Sequence, residues 1–375
     1  MSNKTKVRVN TARLKYAREH YALTLSNVEE TCKIRSDKLE KFETGEDSPT
    51  YSQLSELSNY YNRPMLFFFF CDAPPEEHIA VDFRSVSGQT GEELGRSTRI
   101  LIERANLHRL NIRTVSTNRK EPSPQFRQML SEADALDDNG LFTWLREKLD
   151  LPLSEQKKYG SSAELIEYLR EKMYGIGVYI FKDSFRDDTI SALSLYDDEF
   201  PVILLNNKTT FSRQLFSMFH ELYHLWHGNH NIFSSRGIEK ECDEFASRFL
   251  IPDNDLELDI KNLVNIGHSD IEALANEYNV SLEAMAYRLY LRKNIEKELY
   301  LSIREERKYI RKKNAEASGG NFYYTRISYL GRPYLREVFK YYHAGQLKIS
   351  DVAKLTNLKV MQVSKLSSKF WGADF

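Results

Sequence analysis

Along most of this chain apolar residues recur every three or four positions, the spacing of helices packed by one face, and only near the middle do they gather into short continuous runs. In the first sixty-odd residues the helical pattern is broken at close intervals. Leu14 with Ala17 marks one helix. TLSNVEETC marks a second, with Thr24 or Ser26 as its cap. SDKLEKFE is a third, capped by Ser36 and ended at Gly45, and SQLSELSNYY is a fourth. Short helices joined by turns of a few residues predict a small bundle over residues 1–78. Residues 79–160 read as a charged helical connector containing ERANLHRLNIR and GLFTWLREKL, with EPSPQ as a loop. The amphipathic stretch SAELIEYLREKMYG precedes GVYIF, ISALSLY and FPVILLN, three partly β-branched runs that predict a small sheet inside a unit spanning 161–295. A charged helical linker over 296–320 ends in the loop ASGG, and residues 321–375 predict a last small helical unit. The fold class is α+β, mostly helical.

Composition narrows the function little. The 375 residues include 41% hydrophobic side chains, and 53 basic against 54 acidic residues leave a formal charge of -1, as in a soluble globular protein of two or three compact parts. Bulk charge therefore calls for neither nucleic acid nor a membrane. No run approaches the ~18 apolar residues of a membrane span, and MSNKTKVRVN lacks the apolar core of a signal peptide, so a cytoplasmic location is expected. Cys32, Cys71 and Cys242 are far apart and odd in number, which supports neither a disulfide framework nor a cysteine zinc knuckle. The run Phe67 to Phe70 is long enough only for core or interface packing.

Chemistry concentrates in FHELYHLWHGNH, where four of the nine histidines fall within twelve residues. His-Glu-x-x-His alone is a weak signal, so its surroundings decide. With about 100° per helical residue, His224 lies about 40° from His220, while Leu215, Met218, Phe219, Leu222, Leu225 and Trp226 occupy the opposite side. Such a helix buries its back and turns both imidazoles into a cleft, with Gly228 as a terminator. A catalytic zinc site needs a third protein ligand, and IEKECDEFASRFLIPD offers Glu239 and Glu241. Cys242, Asp243, Ala246, Phe249 and Leu250 share the face of Glu239, whereas Glu241 falls with Lys240, Glu244, Ser247 and Arg248 on the solvated side. Periodicity therefore selects Glu239. Asp243, one turn on, is placed to bond the far nitrogen of a ligating histidine. The alternative, two partly exposed histidines at a helix end, leaves unexplained why two carboxylates sit on an apolar face, where burial of charge is costly without a partner.

FSRQLFSMFHELYHL followed by EKECDEFASRFLIP resembles the ImmA/IrrE family of metallopeptidases over about Ser161 to Leu291. The resemblance implies a zincin-like (gluzincin) domain over 161–295 with His220, His224 and Glu239 as metal ligands and Glu221 as the base. Zinc is the default metal, and manganese or iron suits the same ligand set. Cys242 departs from the alanine usual there, which bears on oxidation sensitivity or on packing alone. Three side chains stand near enough to donate to an oxyanion, namely Tyr223, His227 and His230, and the sequence does not choose among them. His227 also reads as a helix-end histidine favoured by the macrodipole. The strand FPVILLNN is expected to offer an edge for an extended substrate. What the resemblance implies about partners is a protein substrate, a transcriptional repressor, cut at a specific site.

LEKFETGEDSPTYSQLSELSNYYNRP resembles the later half of the helix-turn-helix domain of phage-repressor (Xre-type) regulators, over about Val9 to Phe70. The resemblance places Arg35, Ser36 and Lys38 toward DNA, with Lys4, Lys6 and Arg8 as a basic arm. Eleven basic and nine acidic side chains between Met1 and Met65 make phosphate attraction weak, so protein binding by the same fold stays open. ISDVAKLTNLKVMQVSKL also has helix-turn-helix spacing, with a generic helical packing module as the alternative. Two rivals to a peptidase are a non-cleaving regulator with a metal- or ligand-sensing module and a toxin-antitoxin-type interaction component. An intact Glu221 argues against the first, because a pure binding site has no need of an unligated carboxylate.

Overall fold

The computed structural model of the protein describes residues 5–72, 95–119, 126–133, 136, 138–187, 189–228, 236–313 and 321–372, without the side chains of 138, 139, 227, 228, 236, 237 and 307–313. These residues divide into two compact units, with the division falling between residues 102 and 103.

The first unit holds α1 (Thr11–Glu19), α2 (Leu25–Cys32), α3 (Ser36–Thr44), α4 (Tyr51–Tyr60), a single 3-10 segment Met65–Phe69 and the start of α5 (Arg96–Ser116). Local capping explains the closely spaced breaks. The Asn10 side chain accepts from the Ala12 and Arg13 amides, Thr24 and Asn27 cap α2 reciprocally, and Thr50 with Gln53 does the same for α4. Ser36 is not the cap of α3. It is the first helical residue, and its amide and hydroxyl both donate to the Glu29 carboxylate, at 2.9 and 2.5 Å. Gly45 ends α3 at φ 85, the left-handed conformation that costs glycine least. Leu14, Ala17, Val28, Leu39, Phe42, Leu54, Leu57 and Phe68 fill the core, whereas Phe69 and Phe70 are exposed.

The second unit continues α5 and adds α6 (Phe126–Ala133), α7 (Asp138–Lys148), α8 (Leu153–Lys158) and α9 (Ser162–Gly175). Three strands follow, β1 (Tyr179–Asp183), β2 (Ala192–Leu195) and β3 (Val202–Asn206), then α10 (Phe211–Gly228) and α11 (Arg236–Leu250). The sheet order is β1-β3-β2, with β1 parallel to β3 and β2 antiparallel to it. FPVILLNN was expected to supply a free edge. It forms β3 instead, the central strand, hydrogen-bonded on both sides, with all five residues buried, and this is why its sequence is continuously apolar. The sheet margin beside α10 is β2.

Residues assigned by sequence to a connector lie in the core of this unit. Phe126, Met129, Leu130, Leu145, Leu149 and Leu151 are buried with the apolar faces of α9, α10 and α11. Arg146 donates to the carbonyl of Phe249 at 2.5 Å and Gln156 to that of Leu250 at 2.9 Å, so α7 and α8 hold the C-terminal end of α11. Helices α12 (Asp253–Ile260), α13 (His268–Glu277), α14 (Leu282–Leu291) and α15 (Lys297–Lys313) follow, and Ile303 of α15 is buried in the same core.

The chain closes with α16 (Phe322–Leu330), α17 (Arg332–His343), α18 (Ile349–Leu355) and α19 (Val360–Trp371). Arg170 of α9, almost wholly buried, ties α16 to the sheet: its guanidinium donates to Ile180 O on β1 at 3.0 Å and to Ser328 O on α16 at 2.7 Å. Gly331 sits at φ 85 between α16 and α17, where a Cβ would lie 2.5 Å from Arg170 Nη2. Glu337 of α17 takes Arg119 at 2.5 Å and is also bonded by the Tyr174 hydroxyl. Among the described residues no helix is long and apolar enough to cross a membrane.

Candidate metal centre

Two helices build the site. The Thr210 hydroxyl accepts from the Arg213 amide at the start of α10. Leu215, Met218, Phe219, Leu222, Leu225 and Trp226 are all buried, as the helical period requires, and Phe219 stacks on Phe249 of α11 with ring centroids 4.2 Å apart. This packing of α10 on α11 turns His220 and His224 toward Glu239.

The donor atoms converge. His220 Nε2 and His224 Nε2 are 3.2 Å apart, His220 Nε2 is 3.4 Å from Glu239 Oε2, and His224 Nε2 is 3.5 Å from Glu239 Oε1. Ligands at about 2.0–2.1 Å from a tetrahedral zinc are separated by about 3.3–3.4 Å, so the three side chains are spaced like a coordination shell. Glu239 Oε1 is buried and lacks a hydrogen-bond partner, with His224 Nε2 at 3.5 Å. An orphaned carboxylate oxygen facing two imidazoles fits a cation.

Asp243 lies at the rim with its side chain 61% exposed, not within the buried face, yet its Oδ1 is 2.9 Å from His220 Nδ1. That bond orients the ring and leaves Nε2 for the cluster. Burial lowers the His220 pKa, but the hydrogen bonds to Asp243 and Glu239 and the Glu221 charge outweigh it and raise the value to about 10. The hydrogen bond from His220 holds Glu239 below the usual carboxylate range. The carboxylates that surround His220 thus favour its charged form, and the same negative charge favours a cation.

Cys242 Sγ also lies within 4.8 Å of a ring nitrogen of each histidine. Glu239 is the better third donor because its oxygens come within 3.5 Å of both Nε2 atoms, while burial, and after it the neighbouring carboxylates, push the Cys242 thiol up. Glu241 is exposed on the opposite face of α11.

Glu221 stays outside this triad. It is 9% exposed, and its Oε2 accepts a 2.6 Å hydrogen bond from the hydroxyl of Ser194, a fully buried residue of β2. Sequence reasoning missed Ser194. The available signal was its position in ISALSLY, a polar residue between Leu193 and Leu195 in a strand period, hence on the other face of the strand. Tyr223 packs its ring against Phe245 at 4.9 Å. His230 and the His227 side chain lie outside the described residues.

The residues proposed to meet DNA belong to the first unit. Arg35 pairs with Asp37 at 3.0 Å, Ser36 is engaged with Glu29, and the Lys38 ammonium lies 5.6 Å from the Phe42 ring centroid. The proposed arm is folded back: Lys6 pairs with Asp47 and bridges Thr50, while Lys4 lies outside the described residues.

A comparison with curated proteins finds no match. Residues 175–290, which contain the sheet, both site helices and α12 to α14 almost to its end, match the family model of the IrrE N-terminal-like domain, Peptidase_M78, and this part of the chain is therefore similar to a family of metal-dependent peptidases.

Proposed function

We propose that the protein is a metal-dependent, site-specific endopeptidase that acts on a protein partner, a transcriptional repressor, and so regulates transcription. The observation that carries the reading is the pairing of two carboxylates with different duties. Glu239 shares a point in space with two imidazoles, while Glu221, one residue from His220, is held away from them by Ser194. His220, His224 and Glu239 would hold the metal, which when bound supplies Lewis-acid chemistry by polarising the scissile carbonyl and acidifying water.

The remaining work belongs to the chain. Glu221 Oε2 is engaged by the Ser194 hydroxyl, so Oε1 is the atom that accepts the proton of the attacking water and passes it to the amine nitrogen as the C–N bond breaks. Asp243 keeps the His220 ring in place through its Nδ1. β2 pairs on one side only among the described residues and carries Ser194, so an extended substrate segment is placed along it by β-augmentation. The N-terminal bundle, read as an Xre-type helix-turn-helix, would present the peptidase to its repressor by protein contact.

Glu221→Gln is the test. New protein N-termini are compared between cells expressing wild type and the variant, alongside the metal content of both purified proteins. The reading requires a cleaved regulator in wild type only, with equal metal in both. Equal metal and no wild-type cleavage product, with regulation unaffected by the variant, would establish the non-cleaving sensor instead.

A further inference from the structure

Helices α18 and α19 carry a cationic face for which the peptidase chemistry has no use. Between Lys348 and Gly372 there are five lysines and a single acidic residue, Asp351, in a chain whose overall charge is -1. Asp351 is committed to the start of α18, where its carboxylate accepts from the Lys348 amide at 2.9 Å. Among the described residues Lys348, Lys354, Lys359, Lys365 and Lys369 have no carboxylate partner. Glu337, the other acidic residue of the segment 321–372, is taken by Arg119.

The backbone gives these charges a defined frame. α18 ends at Leu355, Asn357 turns the chain at φ 50, and α19 starts at Val360. The turn is pinned by Leu358 N donating to Ala353 O at 2.8 Å and by the buried Thr356 hydroxyl donating to Val352 O at 2.7 Å. Val352, Ala353 and Leu355 of α18 are buried, as are Val363, Leu366 and Phe370 of α19, and α17 packs on α18. Two helices packed on each other and joined by a turn as short as residues 356–359 make a helix-turn-helix. The outer face of α19 consists of Val360, Met361, Ser364, Lys365 and Ser368, all exposed, with Met361 at 92%. It holds short hydroxyls, a lysine and apolar tips, the groups that meet base edges and thymine methyls, and it holds no carboxylate. Lys348 at the start of α18, Lys354 in its last turn and Lys359 at the start of α19 flank that face, where phosphates would lie.

The N-terminal bundle differs on the same points. The solvent side of α3 carries Asp37, Glu40 and Lys41, and Arg35 beside it is paired with Asp37. Carboxylates there would face phosphates.

We infer that the C-terminal helices, not the N-terminal bundle, bind double-stranded DNA, with α19 in the major groove. The inference goes beyond the cleavage reading and does not require it. A fluorescein-labelled 30-base-pair duplex of mixed sequence is titrated with the full chain, and anisotropy is read from 50 to 200 mM NaCl. Four phosphate contacts, from Lys348, Lys354, Lys359 and Lys365, give a log-log salt slope of about -3.6, a loss of about 150-fold in affinity across that range. Lys354→Gln with Lys365→Gln should bring the slope to about -1.8 and weaken binding at 50 mM by tenfold or more, and Lys348→Gln with Lys359→Gln should do the same from the other side of the face. Arg35→Gln with Lys38→Gln should change neither quantity. Glu221→Gln should bind as wild type does, which separates failure here from failure of the cleavage reading. No binding at 50 mM NaCl, binding indifferent to both C-terminal pairs, or binding lost with the Arg35 and Lys38 pair would overturn the inference.

Discussion

Replacing Ser194 with alanine removes one oxygen from a buried strand and tests how Glu221 is held. The lost contact is a 2.6 Å O–H···O bond to a carboxylate that is only 9% exposed, so water cannot readily take the hydroxyl's place. Hydrogen bonds to charged groups are worth about 1.5–3 kcal/mol, and about 1.4 kcal/mol corresponds to a factor of ten. If the bond serves to keep Glu221 aimed at the reacting atoms, its loss lowers kcat by about 10- to 150-fold. KM should hardly move, because the Ser194 side chain is covered and acts on the substrate only through Glu221, while the backbone of β2 that would pair with substrate is unchanged. The assay is steady-state hydrolysis of a quenched-fluorescence peptide selected from a library on the wild-type protein, with metal content measured on every sample. Ser194→Thr keeps the hydroxyl on a β-favouring residue and should restore most of the rate, whereas a merely structural role would be served equally by alanine. A Ser194→Ala protein with full metal and wild-type kcat would falsify the positioning argument.

Other expectations follow from the same geometry. Elemental analysis should find about one metal per wild-type, Glu241→Ala or Cys242→Ser chain and none on Glu239→Ala; loss on Cys242→Ser instead would make the thiol the third ligand. His220 in the metal-free protein is raised from 6.5 to about 10, so its protonation stabilises the fold fully below about pH 6.5, and that contribution is lost as the pH climbs through 10. Metal must displace this proton, so apparent zinc affinity should rise about tenfold per pH unit between pH 7 and 9, and calorimetry in two buffers should register about one proton released per metal. Chelation should remove about 2.7 kcal/mol of stability from protein held at a hundredfold excess of free metal over Kd, seen as a lower urea midpoint. Gly331→Ala meets Arg170 at 2.5 Å from a φ of 85 and should cost about 1–3 kcal/mol in the same measurement; an unchanged midpoint would mean that the linkage between α16 and α17 relaxes freely.

The convergence of His220, His224 and Glu239 is the most legible part of this molecule because helices of fixed period carry all three. His220 and His224 share a face by arithmetic, and the apolar residues on the far side say where the core lies. Glu239 was separable from Glu241 by the same arithmetic on α11. Asp243 shows the limit of that method: its contact with His220 was readable, but its exposure at the rim depends on how far α10 reaches along α11, which no local pattern encodes. Strand order was not readable. Continuous burial of VILLN identifies a strand covered on both faces, yet the sequence carries no mark of which neighbours it pairs with, and an expected edge is in fact the centre of the sheet. Ser194 lies beyond local reasoning for a related reason, since its partner is 27 residues away on another element. The connector assignment for residues 79–160 rested on charge density. Arg146 shows why that misleads: it is half-buried, and its guanidinium is spent on backbone carbonyls of α11 and of the turn that follows α7.

The strand that brings Ser194 to Glu221 is four residues long, Ala192–Leu195. At about 3.3 Å per residue it can template no more than about 13 Å of extended chain. A ligand pairing along so short a ruler gains few backbone hydrogen bonds, and it must arrive already released from its own helix or sheet. Selectivity would then reside less in the side chains around the scissile bond than in how often the target frees that segment. Anything that loosens the target at one place, such as heat, a lost ligand or a broken dimer, would act as the signal for its removal while the peptidase itself stays unchanged.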